Sequence, residues 1–433
     1  MKQITFENLN QMQDQLQRPS LEVGKLNEII ADVFLQIKQK KDQALIDFTQ
    51  KFDSVSLDKL LVGEDEIEQA KNLVDPELKQ AITTAYQNIS LFHQAQKIEP
   101  LTVETSKGVI CQRKARAIEK VGLYIPGGTA PLFSTVLMLA IPAKIAGCKE
   151  IILCSPPNKQ GNIHPAILFA ADLCGVTQIF KVGGAQGVAA LALGTESIPK
   201  VDKIFGPGNQ YVTAAKQFAS LQSTAIDMPA GPSEVMVVAD QSANSVFVAA
   251  DLLSQAEHGA DSQVVLVSWS DEILLETQNE IQKQLSDLPR AEIAKKSLEN
   301  AVFVKTTNQN QALEIVNFYA PEHLILATED QKTEDYFVEN VQNAGSVFIG
   351  NYTPESAGDY ASGTNHTLPT AGYAKQYSGV SLQSFEKYIT YQKISKEGLQ
   401  NLGPTIEIMA QNEELFAHKN AVSLRLKAIS EKL

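Results

Sequence analysis

Gln255 and His258 are side chains whose types and spacing could bind a ligand or a metal ion. They are three residues apart in Ser254-Gln255-Ala256-Glu257-His258-Gly259, so on a helix both lie on one face, one turn apart. Gly259 is expected to end this helix, which places His258 in the last turn, where a polar face can open onto a crevice. A solvated helix end capped by glycine is the alternative interpretation.

The adjacent Glu322 and His323 could exchange protons with a substrate. They follow Pro321, which ends a predicted helix, and in a loop both side chains can point into one cleft. A carboxylate and an imidazole offer two proton acceptors with different pKa values, as acid–base catalysis requires. An exposed Glu-His pair without a catalytic role is the competing interpretation. His93 and His164 lack such polar surroundings and are predicted to be surface residues.

Two further polar stretches lie nearer the end of the chain. Segment 354–366 is rich in Gly, Ser, Thr and Asn, which is typical of an ordered loop. Small residues around Asp359 in this segment would let a ligand come close to the backbone. Glu413 and His418 are near each other on the predicted terminal helix.

Four of these side chains would make a set of metal ligands with two imidazoles and two oxygen donors. They are Gln255, His258, Asp359 and His418. Such a set suits Zn²⁺ or Mn²⁺ and differs from a closed structural zinc site, which prefers thiolates. Gln is an uncommon zinc ligand, however, and scattered ligands are easily assembled on paper. Spacing alone therefore leaves the metal site as the weaker interpretation.

Three glycine-rich turns each follow a predicted strand and precede a helix, where open α/β sheets bind ligands. They are Pro126-Gly127-Gly128, Gly183-Gly184-Ala185-Gln186-Gly187 and Gly206-Pro207-Gly208-Asn209. None is a G-x-G-x-x-G or Walker sequence, and each alone is typical of a plain βα turn. Together they would meet at one carboxyl edge, which favours a nucleotide or dinucleotide. Tyr124, Gln186 and Asn209 would offer it a stacking or polar surface.

These side chains need a scaffold of alternating strands and helices. Apolar runs predict strands at 121–125, 151–154, 178–182 and 203–205, and again at 234–239, 263–267, 301–304 and 346–349. Helical patterns lie between them, at 134–146, 165–174, 186–193, 211–219, 245–254, 272–285 and 310–318. This rhythm predicts right-handed βαβ units, and therefore two α/β units with parallel sheets in tandem.

The two units are expected to span 119–233 and 234–375, with the boundary at the Pro229-Ala230-Gly231-Pro232 turn. The first would carry the nucleotide, and the second the metal and catalytic residues. Residues 1–118 are predicted to be a helical region that packs with the second unit, and 376–433 a helical C-terminal segment.

Composition restricts the class of protein further. With 433 residues, 44% apolar and 20% charged, the chain can form more than one buried core. A net charge of -13 without a basic cluster argues against nucleic acid or an anionic membrane as partner, so a small molecule is expected. The polar N-terminus and the lack of long apolar runs predict a cytoplasmic protein. Four cysteines without a C-x-x-C pattern are interpreted as small buried hydrophobes.

From about 121 to 427 the sequence resembles the histidinol dehydrogenase family. The resemblance is carried by segments 121–128, 183–186, 205–209, 227–235, 254–259, 320–324, 354–366 and 417–422. It implies two Rossmann-like domains and a zinc enzyme, with one Zn²⁺ per subunit, in the last steps of histidine biosynthesis. Such an enzyme oxidises L-histidinol through L-histidinal to L-histidine and reduces two NAD⁺.

The resemblance also implies a role for each candidate residue. The metal ligands would be Gln255, His258, Asp359 and His418, and the NAD⁺ site would include Tyr124, Gln186 and Asn209. The substrate would contact Ser233, His323 and Glu413 together with the four ligands. Glu322 and His323 would be the proton acceptors. The family is a homodimer whose C-terminal segment completes the partner's site, so His418 could act in trans.

This assignment is chemically consistent. Histidinol carries an imidazole and an amine beside its primary alcohol, so a metal with open positions can bind both nitrogens and fix the carbinol carbon against the nicotinamide. His323, with an unperturbed pKa of ~6.5, suits removal of the alcohol proton, and Glu322 suits activation of the water that hydrates the aldehyde. A thiohemiacetal on Cys148 or Cys154 is rejected because neither has an adjacent base.

Two other classes of function use the same residues. A metal-dependent hydrolase with a glycine-lined anion pocket would show no NAD⁺ reduction. A non-catalytic binding protein of two α/β lobes would show no turnover, and it would leave segment 354–366 and the Glu322-His323 pair without a role.

Overall fold

The computed structural model describes residues 1–18, 23–127, 130–229 and 231–431, and only the backbone of 23–25. Gly128 of the first predicted glycine turn and Ala230 of the predicted boundary turn lie outside these residues. Within the described part of the chain, no helix is both long and apolar enough to cross a membrane.

Strands and helices alternate through the middle of the chain. The strands are β1 Lys2–Thr5, β2 Leu101–Ser106, β3 Val109–Ala117, β4 Lys120–Tyr124, β5 Glu150–Cys154, β6 Gln178–Phe180, β7 Lys203–Phe205, β8 Ala225–Ile226, β9 Glu234–Ala239, β10 Gln263–Ser268, β11 Val302–Lys305, β12 His323–Ala327, β13 Ser346–Ile349 and β14 Glu386–Ile394. The helices are α1 Leu9–Gln15, α2 Val23–Lys40, α3 Asp42–Phe52, α4 Glu64–Leu73, α5 Pro76–Gln94, α6 Phe133–Ala146, α7 Pro165–Cys174, α8 Gly184–Leu193, α9 Gln210–Leu221, α10 Ser245–Ala256, α11 Asp271–Leu285, α12 Ala291–Ser297, α13 Gln309–Tyr319, α14 Gln331–Asn340, α15 Glu355–Tyr360, α16 Lys396–Asn412 and α17 Phe416–Ser430.

Two compact units divide these elements. The first consists of Met1–Gln96 and Ile118–Phe385, and the second of Lys97–Ala117 and Glu386–Leu433. The first unit therefore contains both α/β series, and the second contains β2, β3, β14, α16 and α17.

The first unit holds two fully parallel sheets. One has the order β6-β5-β4-β7-β8, and the other the order β1-β11-β10-β9-β12-β13. In each series the first strand lies in the middle, with the second and third on one side and the fourth and fifth on the other. This is the doubly wound order. Successive strands are added first on one side of the initial strand and then on the other, so the order reverses between β4 and β7 and between β9 and β12. The predicted fold of two tandem Rossmann-like units with parallel sheets is confirmed.

Burial on both faces explains the sequence of the central strands. Every residue of β9 and β10 is buried, and both strands are almost continuously apolar because helices cover both faces of the sheet. Helix α6 is likewise buried from Ser134 to Ala143, so it shows no polar face.

The N-terminal region packs mainly with the first sheet. Side chains of α2 and α3 pack against α8 and α9, and those of α4 and α5 against α6 and α7. Among the N-terminal elements that the structure describes, β1 pairs with β11 of the second sheet and α1 packs beside α13. The expectation that this region packs with the second α/β unit is therefore wrong for α2–α5, whose apolar faces match the helices of the first.

The second unit is an antiparallel sheet followed by two helices. Its strand order is β14-β3-β2, and Gly108 forms the β2–β3 turn with a positive φ of 81°. Helix α17 packs along α16, where Leu426 lies against Gly403. These strands add to the helical regions predicted at both ends of the chain. Every residue of β2 is exposed, so its sequence lacks the alternation that marks a half-buried strand.

Candidate functional site

A cluster of carboxylates and histidines lies at the amino ends of β9 and β12. Glu234 is the first residue of β9 and His323 the first of β12, and the two strands are paired in parallel. Helix α10 leaves the carboxyl end of β9 and returns, so that Gln255 in its last turn reaches the same edge. Helix α15 follows β13 and contributes Glu355 and Asp359.

His323 is at the centre of this cluster and is almost fully buried, with 4% of its surface exposed. Its Nδ1 lies 3.6 Å from Glu322 Oε2 and 3.7 Å from Glu355 Oε1. Its Nε2 lies 3.6 Å from Asp359 Oδ1. The imidazole is therefore enclosed by three carboxyl groups, one from the residue before β12 and two from α15.

These neighbours change the proton affinity of His323. Burial by itself would lower the pKa of the imidazole, but the negative charges of Glu355, Glu322 and Asp359 outweigh it and raise the pKa well above its usual value. Burial would raise the pKa of Asp359, but the adjacent imidazole of His323 and its positive charge lower it. An imidazolium paired with the Asp359 carboxylate is thus the favoured state.

The other two carboxyl groups respond differently. Burial raises the pKa of Glu322 to about 7 and that of Glu355 to about 8. At neutral pH, Glu355 therefore holds its proton for most of the time, and Glu322 is close to half ionised. One cluster thus contains an ionised acid and two acids that can exchange protons near neutrality.

His258, Glu355 and Asp359 form a group that could hold a metal ion. One ligand atom from each of them lies within 4.8 Å of the others. Glu355 Oε2 is buried and has no hydrogen-bond partner within the described residues, so an oxygen donor is available there. Imidazole and carboxylate donors suit Zn²⁺ or Mn²⁺, so the side chains fit a divalent cation.

Gln255 joins this group through Glu355. With its amide nitrogen toward Glu355 Oε1, Gln255 donates a hydrogen bond to it, and its amide oxygen accepts from the Glu234 N–H at 2.9 Å. The structure thus brings together three of the four predicted ligands, Gln255, His258 and Asp359, with both predicted proton acceptors.

Two local predictions about these residues are wrong. Helix α10 ends at Ala256, so His258 lies beyond the last helical turn, and its N–H donates to the Gln255 carbonyl at 3.2 Å. The loop prediction is wrong for His323, which begins β12, whose sequence His-Leu-Ile-Leu-Ala is entirely buried, whereas Glu322 lies in the bend before that strand. The preceding proline indicated a loop, but the apolar run after it pairs with β9 and β13.

Glu355 is the residue that sequence reasoning did not identify. The polar segment 354–366 was predicted to be a loop, but its first part forms the short helix α15. On that helix Glu355 and Asp359 are four residues apart and share a face. This Glu-x-x-x-Asp spacing is the signal that could have revealed Glu355.

The remainder of the polar segment anchors the site. His366 Nδ1 lies 2.8 Å from the Asp359 carbonyl oxygen, and its Nε2 lies 3.2 Å from Thr135 Oγ1 on α6. Asn365 Nδ2 lies 3.3 Å from His93 Nε2. His93 was predicted to be a surface residue, which is wrong: it is buried in α5, where it fixes the segment to the N-terminal helices.

The structure does not place the other predicted substrate contacts, Ser233, Glu413 and His418, within the cluster around His323. Ser233 is half-buried and directly precedes β9, and its carbonyl accepts from the Gln263 N–H at 3.1 Å. Glu413 and His418 belong to the second unit, where Glu413 caps the end of α16 and His418 lies in the first turn of α17. Both are exposed.

The predicted nucleotide residues lie at the carboxyl edge of the five-stranded sheet. Tyr124 ends β4, is buried, and accepts a hydrogen bond from the Gly184 N–H at 3.0 Å through its hydroxyl oxygen. Gln186 is buried in the first turn of α8, and Asn209 caps the N-terminus of α9. This edge includes the point between β4 and β7 where the strand order reverses, and doubly wound sheets bind ligands at that point.

Tight packing also explains part of the glycine pattern. A side chain at Gly127 or at Gly183 would clash with Pro156, which lies between the two turns. Cys154 and Cys174 are poor candidate nucleophiles, since both are buried and burial raises the pKa of each thiol. Cys111 and Cys148, which were also predicted to be buried, are only partly so.

Taken together, the fold and site define a class: an α/β protein of two parallel doubly wound sheets, with a metal-competent acid–base cluster beside the second. The Histidinol dehydrogenase family profile matches residues 16–426. The chain belongs to the histidinol dehydrogenase family. Membership makes the protein a dehydrogenase, and hence an oxidoreductase.

Individual relatives cover the chain almost completely. Histidinol dehydrogenase of Bacteroides thetaiotaomicron is 58% identical over 429 residues, which is 99% of this chain and 100% of the relative. That of Campylobacter jejuni is 51% identical over 434 residues, with 99% and 100% covered. The crystal structure of histidinol dehydrogenase from Elizabethkingia anophelis has a TM-score of 0.96 and 55% identity, and covers 99% of both chains.

Proposed function

We propose that the protein oxidises L-histidinol through L-histidinal to L-histidine in the cytoplasm, with reduction of two NAD⁺, as the last steps of histidine biosynthesis. The observation that carries this proposal is the buried His323, which has carboxyl groups of Glu322, Glu355 and Asp359 within 3.6–3.7 Å and lies beside a potential metal group. The names of the relatives supply the substrate, whose imidazole and amine suit such a group.

One Zn²⁺ per subunit is the proposed cofactor at this cluster. Its proposed ligands are Gln255, His258, Asp359 and His418. When bound, a divalent cation supplies a Lewis acid that fixes and polarises the nitrogen and oxygen atoms of the substrate. Support comes from the donor atoms of His258 and Asp359, which lie within 4.8 Å of each other and of Glu355. These four ligands, with Ser233, His323 and Glu413, are the proposed substrate contacts.

In the first oxidation, His323 that has given up its proton to solvent accepts the alcohol proton while hydride leaves the carbinol carbon for NAD⁺. The surrounding carboxylates make the neutral imidazole a strong base and stabilise the imidazolium that forms. In the second oxidation, the aldehyde must gain water before it can lose another hydride. Glu322, with a pKa of about 7, is suited to remove a proton from that water.

Glu322 is held for this role by the backbone. Its Oε2 accepts a hydrogen bond from the Glu234 N–H at 2.9 Å. The same N–H is 2.9 Å from the Gln255 amide oxygen, so the proton acceptor and a proposed ligand share one donor on β9.

We place NAD⁺ at Tyr124, Gln186 and Asn209, because they occupy the carboxyl edge of a doubly wound sheet.

The proposed assembly is a homodimer in which the C-terminal segment of each chain completes the site of the other. Exposed apolar side chains near Glu413 and His418 support a contact with a second copy. They are Ile408, Met409, Leu415, Phe416 and Leu424. The net charge of -13 gives no support for a nucleic-acid or membrane partner.

The stoichiometry of NADH formed per L-histidinol consumed tests the proposal. It is measured on zinc-loaded protein, after chelation, and after zinc is restored. Two NADH per substrate, lost on chelation and regained with zinc, are expected. One NADH with released aldehyde would indicate a simple alcohol dehydrogenase and would remove the role of Glu322. No NADH would favour the hydrolase instead.

A further inference from the structure

A buried ion pair lies beneath the β7–α9 turn and belongs to none of the groups described above. Lys216 extends from α9, and Asp227 directly follows β8. Lys216 Nζ is 2.5 Å from Asp227 Oδ1, and only 3% and 1% of the two side chains are exposed.

This pair binds both backbone groups of Gly206. Lys216 Nζ donates to the Gly206 carbonyl at 2.8 Å, and the Gly206 N–H donates to Asp227 Oδ2 at 2.8 Å. Asp227 Oδ1 also accepts the Met228 N–H at 2.7 Å. The two charged side chains thus bind the peptide groups on both sides of one residue, at the start of the turn Gly206-Pro207-Gly208-Asn209.

Gly206 occupies a conformation that needs such support. Its φ is +131°, and a side chain there would clash with the carbonyl oxygen of Tyr124. The turn is therefore pressed against the end of β4, where the order of successive strands reverses between β4 and β7. Tyr124 and Asn209 are two of the three residues proposed to contact NAD⁺: the Tyr124 backbone packs against Gly206, and Asn209 ends the turn that Gly206 begins.

Stability alone is a poor explanation for a charged pair in this position. A buried ion pair loses its hydration, and apolar residues of similar volume often support the folded state equally well. Apolar residues could not, however, bind both the N–H and the carbonyl of Gly206. The charges therefore act on the shape of the turn.

We propose that Lys216 and Asp227 are positioning residues that hold the turn 206–209 in the shape that receives NAD⁺. The inference rests on the proposed NAD⁺ site. A binding site whose backbone is already fixed does not lose conformational entropy when the ligand arrives, so loosening the turn should weaken NAD⁺ binding specifically.

Three variants test this: Asp227→Asn, Lys216→Met and the double variant Lys216→Met/Asp227→Asn. The double variant leaves no unpaired buried charge, so it keeps the test decisive if a single variant fails to fold. The zinc-loaded protein is titrated with NAD⁺ by calorimetry, and KM and kcat are measured for both substrates. The Kd and KM for NAD⁺ should rise about tenfold or more, with kcat at saturating NAD⁺ and KM for L-histidinol within about threefold of wild type.

Two controls separate positioning from stability. Lys120→Met/Glu150→Gln removes an ion pair of 2.8 Å at the amino ends of β4 and β5 in the same sheet. Ile167→Ala removes buried core volume on α7 and lowers Tm. Neither should change the Kd for NAD⁺.

A double variant with lowered Tm but with the wild-type Kd for NAD⁺ would overturn the inference, because the pair would then be structural only. A wild-type protein that does not bind NAD⁺ would overturn the proposed cofactor, and the inference with it.

Discussion

Each carboxyl group around His323 receives its task from its surroundings. Asp359 is next to the imidazole and keeps its negative charge, whereas burial holds protons on Glu355 and, in part, on Glu322. In the proposed reaction, a strong base for the alcohol, His323, and a weaker base for water, Glu322, can therefore lie side by side without being interchangeable. The two half-reactions should respond to different substitutions.

Glu322→Gln should affect the aldehyde step more than the alcohol step. The amide cannot take a proton from water, so oxidation of supplied L-histidinal should fall by about 10²-fold or more, with a smaller loss in L-histidinol oxidation to the aldehyde. Single-turnover NADH formation from each substrate measures the two steps. Glu339→Gln, an exposed acid on α14, is the control. Equal losses in both steps would remove the water-activating role.

Glu355→Gln should weaken metal binding without abolishing it. The Glu355 carboxyl accepts from the Gln255 amide and orients a proposed ligand, and loss of such a partner costs about 10–100-fold in metal affinity. Competition with a chelator measures the Kd for Zn²⁺. His258→Asn should abolish retention, and the exposed Glu276→Gln should have no effect. A wild-type Kd in Glu355→Gln would show that the residue does not position the ligand set.

The types of the site residues were predictable, but not all of their neighbours. Gln255, His258, His323 and Asp359 stand in unusual local sequences, and those sequences identified them. Glu355 was missed because its glycine- and serine-rich surroundings indicate a loop, and the helix that pairs it with Asp359 is too short to show a period.

At the scale of elements, the two sheets share a strand order, but the candidate sites lie at opposite edges of them. The proposed NAD⁺ residues lie at the carboxyl edge of one sheet, and the acid–base cluster lies at the amino edge of the other. Each predicted helix and strand between 119 and 318 begins and ends within two residues of the observed element. Periodicity could not predict which edge is used, because that depends on α10 and α15 returning across the sheet.

Helix α10 also carries a half-buried acid that should make stability depend on pH. Burial raises the pKa of Asp251 to about 7 from the ordinary 3.8. The unfolded chain ionises this group from about pH 4, but the folded chain resists ionisation until about pH 7, so stability should fall as pH rises through this window. Asp251→Asn should leave Tm unchanged at pH 4 and raise it by about 3 °C at pH 8. Thermal unfolding of metal-free protein measures this, and equal shifts at both pH values would contradict it.

At the scale of the whole molecule, the proposed homodimer makes a prediction about mixed subunits. If His418 acts in the partner's site, a dimer of one His258→Asn and one His418→Asn subunit contains one site with both defects and one intact site. Random mixing should then recover about a quarter of the wild-type activity from two inactive variants, because half of the dimers are mixed and each has one intact site. If His418 acts in its own chain, every site in the mixture retains a defect.

The experiment mixes the two unfolded variants, refolds them together with zinc and measures NADH formation. Each variant refolded alone gives the background activity. Activity at that background level would place His418 in cis or outside the site, and would remove the reason for a shared active site.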